Sequence, residues 1–134
     1  MKDLHNNIKV ESALNISAIS SSTTTAGNII DRQGYNALEF VILSGTLTDG
    51  AYTPLVEDGD AANLSDAAAV TDANLLGTEA AAAFTSSYDN AVRKVGYIGN
   101  KRYVRLSIVS SGVTTGGTIS AVSVKGAASD RPLA

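Results

Sequence analysis

The sequence predicts an all-β fold: a single-domain, antiparallel β-sandwich that is jelly-roll-like and has at most one short helix. Three observations support this. Apolar and polar residues alternate with a period of two near the start, short apolar runs recur between clusters of Gly, Asp, Asn and Ser, and no segment carries a sustained helical stripe. The 134 residues, 44% of them hydrophobic, can bury one core, so we expect one domain over residues 1–134.

The first predicted strand lies in the stretch IKVESALNISAI, which begins at Ile8. Every second position would face the core, and the apolar residues there are Ile8, Val10, Leu14, Ile16 and Ala18. The stretch SSSTTTAG that follows is polar and predicts a loop or an irregular edge segment. Residues 1–7, before the strand, are expected to form a flexible arm.

The second long strand lies in NALEFVILSGTL and is apolar on both faces. One face carries Leu38, Phe40 and Ile42, and the other carries Val41 and Leu43 behind Glu39. Such a strand is either central in a two-layer structure or has its outer face covered by a partner. Asp49-Gly50 then predicts a hairpin turn, with AYTPLVED as the returning strand. Because Pro54 cannot donate to a ladder, that strand should be an edge strand or carry a bulge.

The middle segment, residues 61–84, is rich in alanine but has no helical stripe. We expect a long loop with at most one short helical turn, capped by Thr71 and ended by Gly77. A further strand is predicted from Glu79 to Phe84.

A hairpin is predicted late in the chain, with AVRKVGYI and KRYVRLSIV joined by Gly99-Asn100. This register would place Lys94 opposite Arg105, at a repulsive cost, and Tyr103 over Gly96. The core face would then contain Val95, Val104, Leu106 and Ile108. The stretch TISAVSVKG predicts the last strand, and residues 127–134 a second flexible arm.

The sequence gives little sign of catalytic chemistry. There is no Cys, and the single histidine, His5, lies in the terminal segment, so a positioned catalytic base is missing. The acidic stretch from Asp58 fails as an EF-hand loop because Ala69 stands where a Glu ligand is needed. No phosphate-binding loop, dinucleotide fingerprint, secretory signal or membrane-length apolar stretch is visible. We therefore expect a soluble protein that is not an enzyme and has no cofactor or metal.

Charge is divided unevenly along the chain, whose net charge is −3. No Lys or Arg lies between Arg32 and Arg93, whereas nine acidic residues do. This division suits charge complementarity, within the fold or between neighbouring copies. The candidate protein-interface residues are Lys94, Lys101, Arg102, Tyr103, Arg105, Glu57, Asp58 and Asp60. An ordinary solvated strand face is the competing interpretation, and nucleic acid is a disfavoured partner because the surrounding field is negative.

Three stretches, ALEFVILSGTLTDGAYTPLVEDGD, LLGTEAAAAF and VGYIGNKRYVRLSIVSSGVTTGGTISAVSVKG, resemble small virion structural proteins of tailed bacteriophages and prophages that are found beside the major capsid protein. The similarity spans roughly residues 28–126, and GNKRYVRL with SGVTTGGT is its most specific part.

The resemblance implies a head decoration or cement protein that binds the major capsid protein or another virion protein. With the charge pattern, we also expect the protein to self-associate, with a trimer favoured. It also implies location in the virion head after synthesis in the bacterial cytoplasm. A head–tail junction or tail-associated role is the nearest alternative. A small carbohydrate- or nucleic-acid-binding β module, with Tyr103, Arg102 and Arg105 as contacts, is a more distant one.

Overall fold

The computed structural model describes residues 3–128, with side chains through residue 126, and consists mostly of β-strands. Strands make up 56% and helical turns 5% of these described residues, which confirms the all-β prediction. The helical parts are two 3-10 turns, His5–Asn7 and Asp72–Asn74. The strands are β1 Lys9–Ile19, β2 Thr24–Thr25, β3 Ile29–Asp31, β4 Tyr35–Leu47, β5 Ala51–Gly59, β6 Ala68–Ala69, β7 Leu75–Leu76, β8 Phe84–Thr85, β9 Val92–Tyr97, β10 Tyr103–Ser111 and β11 Gly117–Ala128.

The strands form two antiparallel sheets. The first sheet has the order β1-β11-β4-β9-β7. In the second sheet β10 lies between β5 and an interrupted strand made of β2 and β3, while β6 and β8 pair with the far side of β5. Because the chain changes sheet at nearly every long connection, the eight principal strands follow the order of a jelly roll.

Both predicted hairpins are wrong. β4 pairs with β11 and β9, and β5 pairs with β10, so the Asp49-Gly50 turn joins strands of opposite sheets. β9 and β10 are likewise in different sheets, with Gly99-Asn100 in the crossing segment between them. Lys94 therefore lies opposite Val41, and its predicted repulsion with Arg105 does not occur. The chain reverses its direction at both places, and the residues there do not specify whether the returning strand pairs with the preceding strand or crosses to the other sheet.

The core lies between the two sheets and contains the predicted apolar faces. The residues confirmed there, all 4% exposed or less, are Leu38, Phe40, Ile42, Val95, Val104, Leu106 and Ile108. Tyr52 and Phe84 are also fully buried, and the Tyr52 hydroxyl donates to the carbonyl of Asp49 over 2.8 Å. Burying each large apolar side chain contributes about 1.5–3 kcal/mol, so the inward-facing side chains of the central strands make the largest contribution to the stability of the sandwich.

The N-terminal strand exists but buries a different set of residues than predicted. Ala13 and Leu14 are buried, whereas Val10 is 53% and Ile16 is 80% exposed. Register shifts against β11 fall between Ser12 and Leu14 and again between Leu14 and Ser17. Each irregularity changes which face the following residues occupy, and period-two alternation cannot anticipate it.

The middle segment closes one side of the sandwich instead of forming a long strand. The predicted helical turn is present at Asp72–Asn74, although its N-cap Thr71 makes no side-chain capping bond. The predicted strand from Glu79 to Phe84 is wrong, because turns occupy most of it and only Phe84–Thr85 is a strand. The Glu79 carboxylate instead accepts the backbone N–H of Val56 over 2.6 Å.

Pro54 lies where β5 has a strand neighbour on one side only. It is opposite Ile108 of β10, and on the other side it falls between the short strands β6 and β8. The missing proline N–H therefore costs no ladder bond, as the sequence had indicated. Of the predicted arms, residues 5–7 form a turn and β11 continues to Ala128; residues 1–2 and 129–134 lie outside the described range.

Candidate functional site

Most of the predicted interface residues meet at one end of the sandwich. β10 pairs with β5 along its whole length, so Arg105 lies opposite Glu57 and Val104 opposite Asp58. The crossing segment between β9 and β10 brings Lys101 and Arg102 to the same end. We call this group, Asp31, Glu57, Asp58, Asp60, Tyr97, Lys101, Arg102 and Arg105, the ion-paired end.

Three ion pairs hold this end together. Arg105 Nη2 is 2.9 Å from Glu57 Oε1, and both side chains are about four-fifths buried. Lys101 Nζ is 3.0 Å from Asp60 Oδ2. Arg102 makes a two-pronged contact with Asp31, Nε to Oδ1 at 2.9 Å and Nη2 to Oδ2 at 2.8 Å. Such bidentate pairs fix geometry as well as charge.

The pairs differ in exposure, and so in what each contributes. The side chains of Lys101 and Asp60 are 48% and 66% exposed, and those of Arg102 and Asp31 are 45% and 43% exposed. Exposed pairs of this kind add little to the stability of a fold, because water and salt screen them. Hydrogen bonding from Arg102 lowers the pKa of Asp31, and Asp60 raises the pKa of Lys101. The Arg105–Glu57 pair is shielded and is the structural member.

Tyr97 joins the two sheets at this end. Its hydroxyl donates to Asp58 Oδ2 over 2.6 Å and accepts the backbone N–H of Lys101 at 3.0 Å. Since Tyr97 is in β9 and Asp58 in β5, this bond links the first sheet to the second. Burial, and then the bond to Asp58, raise the pKa of Tyr97 to about 12.

Arg32 secures the crossing segment from beneath. Its guanidinium donates to the carbonyls of Lys101 and Gly99 and lies 5.4 Å from the centroid of the Tyr97 ring. Neither Arg32 nor Tyr97 is among the residues predicted for this group from the sequence. Arg32 is the last cation before the long acidic stretch, and Tyr97 comes just before the Gly-Asn turn. Either position could have signalled a role in anchoring that turn.

Two predicted residues take no part in these ion pairs: Lys94 lies elsewhere, and Tyr103 lies at this end, opposite Asp31. Lys94 lies on the solvent side of the first sheet, away from the ion-paired end. Tyr103 begins β10 with the Arg102 guanidinium 4.9 Å from its ring centroid. It does not cover Gly96, as the predicted hairpin required; Leu76 and the Glu39 carboxylate lie over that glycine.

A polar hollow of about 330 Å³ opens beside the ion-paired end. Its lining includes Arg32, Asn36, Asn100 and Arg102. Both guanidiniums already donate to the protein's own carbonyl or carboxylate oxygens, so little donor capacity is left for a ligand. Within residues 3–128, no three His, Cys, Asp or Glu side chains are grouped in a way that could hold a metal ion.

The arrangement favours the within-fold interpretation of the uneven charge. The acidic end of β5 neutralises the basic segment that precedes β10, and the exposed members form a mixed-charge rim. A rim of alternating sign can contact a complementary protein surface, but it presents no continuous positive track for a nucleic acid backbone. None of the helical turns in the described part of the chain is long and apolar enough to cross a membrane.

The solvent-facing side of the first sheet, which we call the outer face, is apolar. Every strand of this sheet supplies an exposed apolar residue, and those on four of the strands are Val10 on β1, Leu43 on β4, Leu76 on β7 and Val92 on β9. The remaining strand, β11, supplies Val122, which is 39% exposed. β4 is thus central within its sheet, and its second face is left open.

These features describe a jelly-roll sandwich with an internally ion-paired end and an open apolar face. Two solved structures are similar to it. The structure of PBSX exported protein XepA matches 94% of this chain with a TM-score of 0.60 at 15% identity, and the match takes up 39% of XepA. The structure of SPBc2 prophage-derived protein YomS matches 89% of this chain and 92% of its own length, with a TM-score of 0.40 at 13% identity.

The XepA similarity establishes a shared fold, and both neighbours are phage-derived. This chain spans less than half of the length of XepA. No protein-family model and no curated protein sequence matches the chain.

Proposed function

We propose that this protein is a structural component of a tailed-phage virion, a decoration or cement protein that binds the major capsid protein shell and stabilises the head. The observation that supports this most is the shared fold: 94% of the chain matches a sandwich in a phage-derived protein. The resemblance of GNKRYVRL and SGVTTGGT to virion proteins beside the major capsid protein supports it independently.

The physical role of such a protein is to add buried contact area across joints of the shell. Each 100 Å² of apolar surface removed from water contributes about 2.5 kcal/mol. Many copies then oppose the outward pressure of packaged DNA without any reacting group. The polar clusters described above are engaged in holding the sandwich together, which is consistent with a purely structural part.

The exposed rim of the ion-paired end is the shell-docking surface in this proposal. Lys101 and Arg102 are half-exposed, so they can exchange their partners Asp60 and Asp31 for groups on a capsid subunit. Arg105 is not suited to docking on the shell, because its side chain and that of its partner Glu57 are both about four-fifths buried. Electrostatic contacts at such a rim chiefly affect association rate and specificity.

Cosedimentation with heads that lack the protein tests the proposal. We expect the wild-type protein to pellet with the heads and Lys101→Glu to bind at least roughly tenfold more weakly. The matched control is Lys9→Glu, which makes the same charge change at an exposed position in β1. Electron microscopy of intact particles gives the position independently. Absence from the head in micrographs, or equal binding by Lys101→Glu and wild type, would contradict the proposal.

A second candidate is an exported phage protein that acts apart from the particle. The fold match to PBSX exported protein XepA favours it. Fractionating a lysate on a density gradient separates the two candidates, because a virion component travels with particles and an exported protein stays in the soluble fractions.

A further inference from the structure

The outer face of the first sheet is a continuous apolar surface. Across the strands, Val10 lies opposite Val124, Val122 opposite Val41, and Leu43 opposite Val92. Leu43 is 50% and Val92 is 57% exposed. Single exposed apolar residues are ordinary on a protein surface, but neighbours on successive strands form a patch that marks an interaction site.

Two opposite charges interrupt this patch near its centre. Glu39 lies opposite Gly96, and Lys94 lies opposite Val41, so the two are diagonal neighbours on β4 and β9. Glu39 is half-buried, with its carboxylate over Gly96, and no ion pair within 4 Å joins it to Lys94 among the described residues. Burial raises the pKa of Glu39, and Lys94 partly opposes that effect. The carboxylate therefore lacks a close cation.

We propose that the outer face binds a second copy of this chain about a two-fold axis, with Glu39 of each copy against Lys94 of the other. A two-fold interface brings the same patch of both subunits together. The axis lies in the plane of the interface, passes through the midpoint of the Glu39–Lys94 diagonal and is perpendicular to that diagonal. It therefore exchanges the two positions, so both charges gain an opposite partner at once. A patch with one acid and one base around its centre is self-complementary under this operation.

The same axis also matches apolar residues with apolar residues. On a flat lattice with strands about 4.8 Å apart and same-face residues about 6.8 Å apart, it places Leu43 over Val10 and Val124 of the second copy. Val92 falls beside Val124, at an apolar hollow of about 300 Å³ whose lining includes Leu76, Val124 and Gly126. The end of one patch that carries Leu43 and Val92 thus covers the end of the other that carries Val10 and Val124.

The size of the face is suitable for a stable dimer. Eight residues on each of β1, β11 and β4, six on β9 and two on β7, at about 4.8 by 3.4 Å per residue, give about 520 Å² in projection. Stable interfaces bury about 800 Å² of accessible surface per partner, and accessible area exceeds projected area on a surface with side chains. A dimer formed this way leaves the second sheet and the ion-paired end free, so this proposal is independent of the virion role.

Sedimentation equilibrium of the full chain tests the two-fold interface. We expect the wild type at twice the chain mass of 13.7 kDa. Val122→Glu, which buries an unpaired carboxylate in the interface, should weaken association roughly tenfold or more. The matched control is Val109→Glu on the second sheet, since Val109 is 38% and Val122 is 39% exposed. Thermal melting establishes that both variants are folded.

Charge reversal tests the register. Glu39→Lys and Lys94→Glu should each weaken the dimer, because each brings like charges together across the axis. The double variant should restore it. A monomeric wild type, a trimer that Val122→Glu leaves intact, or a folded double variant that stays monomeric would overturn the proposal. Because no particles are involved, these outcomes are separate from failure of shell binding.

Discussion

Replacing Tyr97 with Phe removes the hydroxyl that links the two sheets. The substitution keeps the ring, which is 2% exposed, and deletes the bond to Asp58 and the bond from the Lys101 N–H. Hydrogen bonds to charged groups contribute about 1.5–3 kcal/mol. We therefore expect Tyr97→Phe to lower the free energy of unfolding by about 2 kcal/mol at neutral pH, measured by chemical denaturation.

The same substitution has a defined pH dependence. The folded-state pKa of Tyr97 is raised to about 12 from an ordinary value near 10, so the folded protein holds this proton more tightly than the unfolded chain. The resulting stabilisation is present below pH 10 and is lost as the pH rises towards 12. We expect the stability difference between wild type and Tyr97→Phe to shrink over that window, by up to about 2 kcal/mol.

Tyr88→Phe is the matched control, because it removes the same group from a residue that is 45% exposed. Other tyrosines and lysines also titrate at high pH, but they are common to all three proteins and cancel in the differences. A Tyr97→Phe protein as stable as the wild type at neutral pH, or a difference that stays constant between pH 9 and 12, would refute the argument.

Two other substitutions test the connections that hold the sandwich together. Asp49→Asn removes a carboxylate that accepts hydrogen bonds from the Thr114 hydroxyl and from the backbone N–H groups of Thr115 and Gly116, and these bonds lower the pKa of Asp49 to about 2. We expect the variant to be less stable than wild type at neutral pH. As the pH falls from about 4 to 2, circular dichroism should show that the variant loses less stability than wild type. Arg105→Glu should lower the free energy of unfolding by about 2 kcal/mol, measured by chemical denaturation, because it places a second carboxylate against that of Glu57 in a shielded site. Adding Glu57→Arg should recover most of that loss. A double variant no more stable than the single one would contradict the assignment of this pair.

The fold class and the inner faces of the long strands could be predicted because burial acts on every second residue. Phe40 and Ile42 are buried for that reason, and so are Leu106 and Ile108. Strand partners could not be predicted in the same way. Pairing depends on which strands lie side by side once the sheets close, and a turn such as Asp49-Gly50 gives only the reversal.

The candidate site shows the same division. Uneven charge along the chain predicted that acidic and basic segments would meet, and the Lys101–Asp60 and Arg105–Glu57 pairs confirm that they do so within the fold. Lys94 lies outside this group because the β9–β10 hairpin that would have placed it there does not form. The outer face was anticipated from Val41 and Leu43 on β4, whereas its extension to Val10 needed the shifted register of β1.

The pairing of β1 with β11 governs how the polypeptide can reach its final state. Lys9 lies opposite Lys125, so the first strand finds its neighbour only after more than a hundred intervening residues have been arranged. Contacts so distant along the chain make folding slow relative to proteins built from local contacts. During translation, the N-terminal segment must wait on the ribosome with its hydrogen-bonding edge unoccupied, and unpaired strand edges make such intermediates prone to aggregate. The open edge of β1 is therefore the part of the chain that stays vulnerable longest, until β11 has been synthesised and can pair with it.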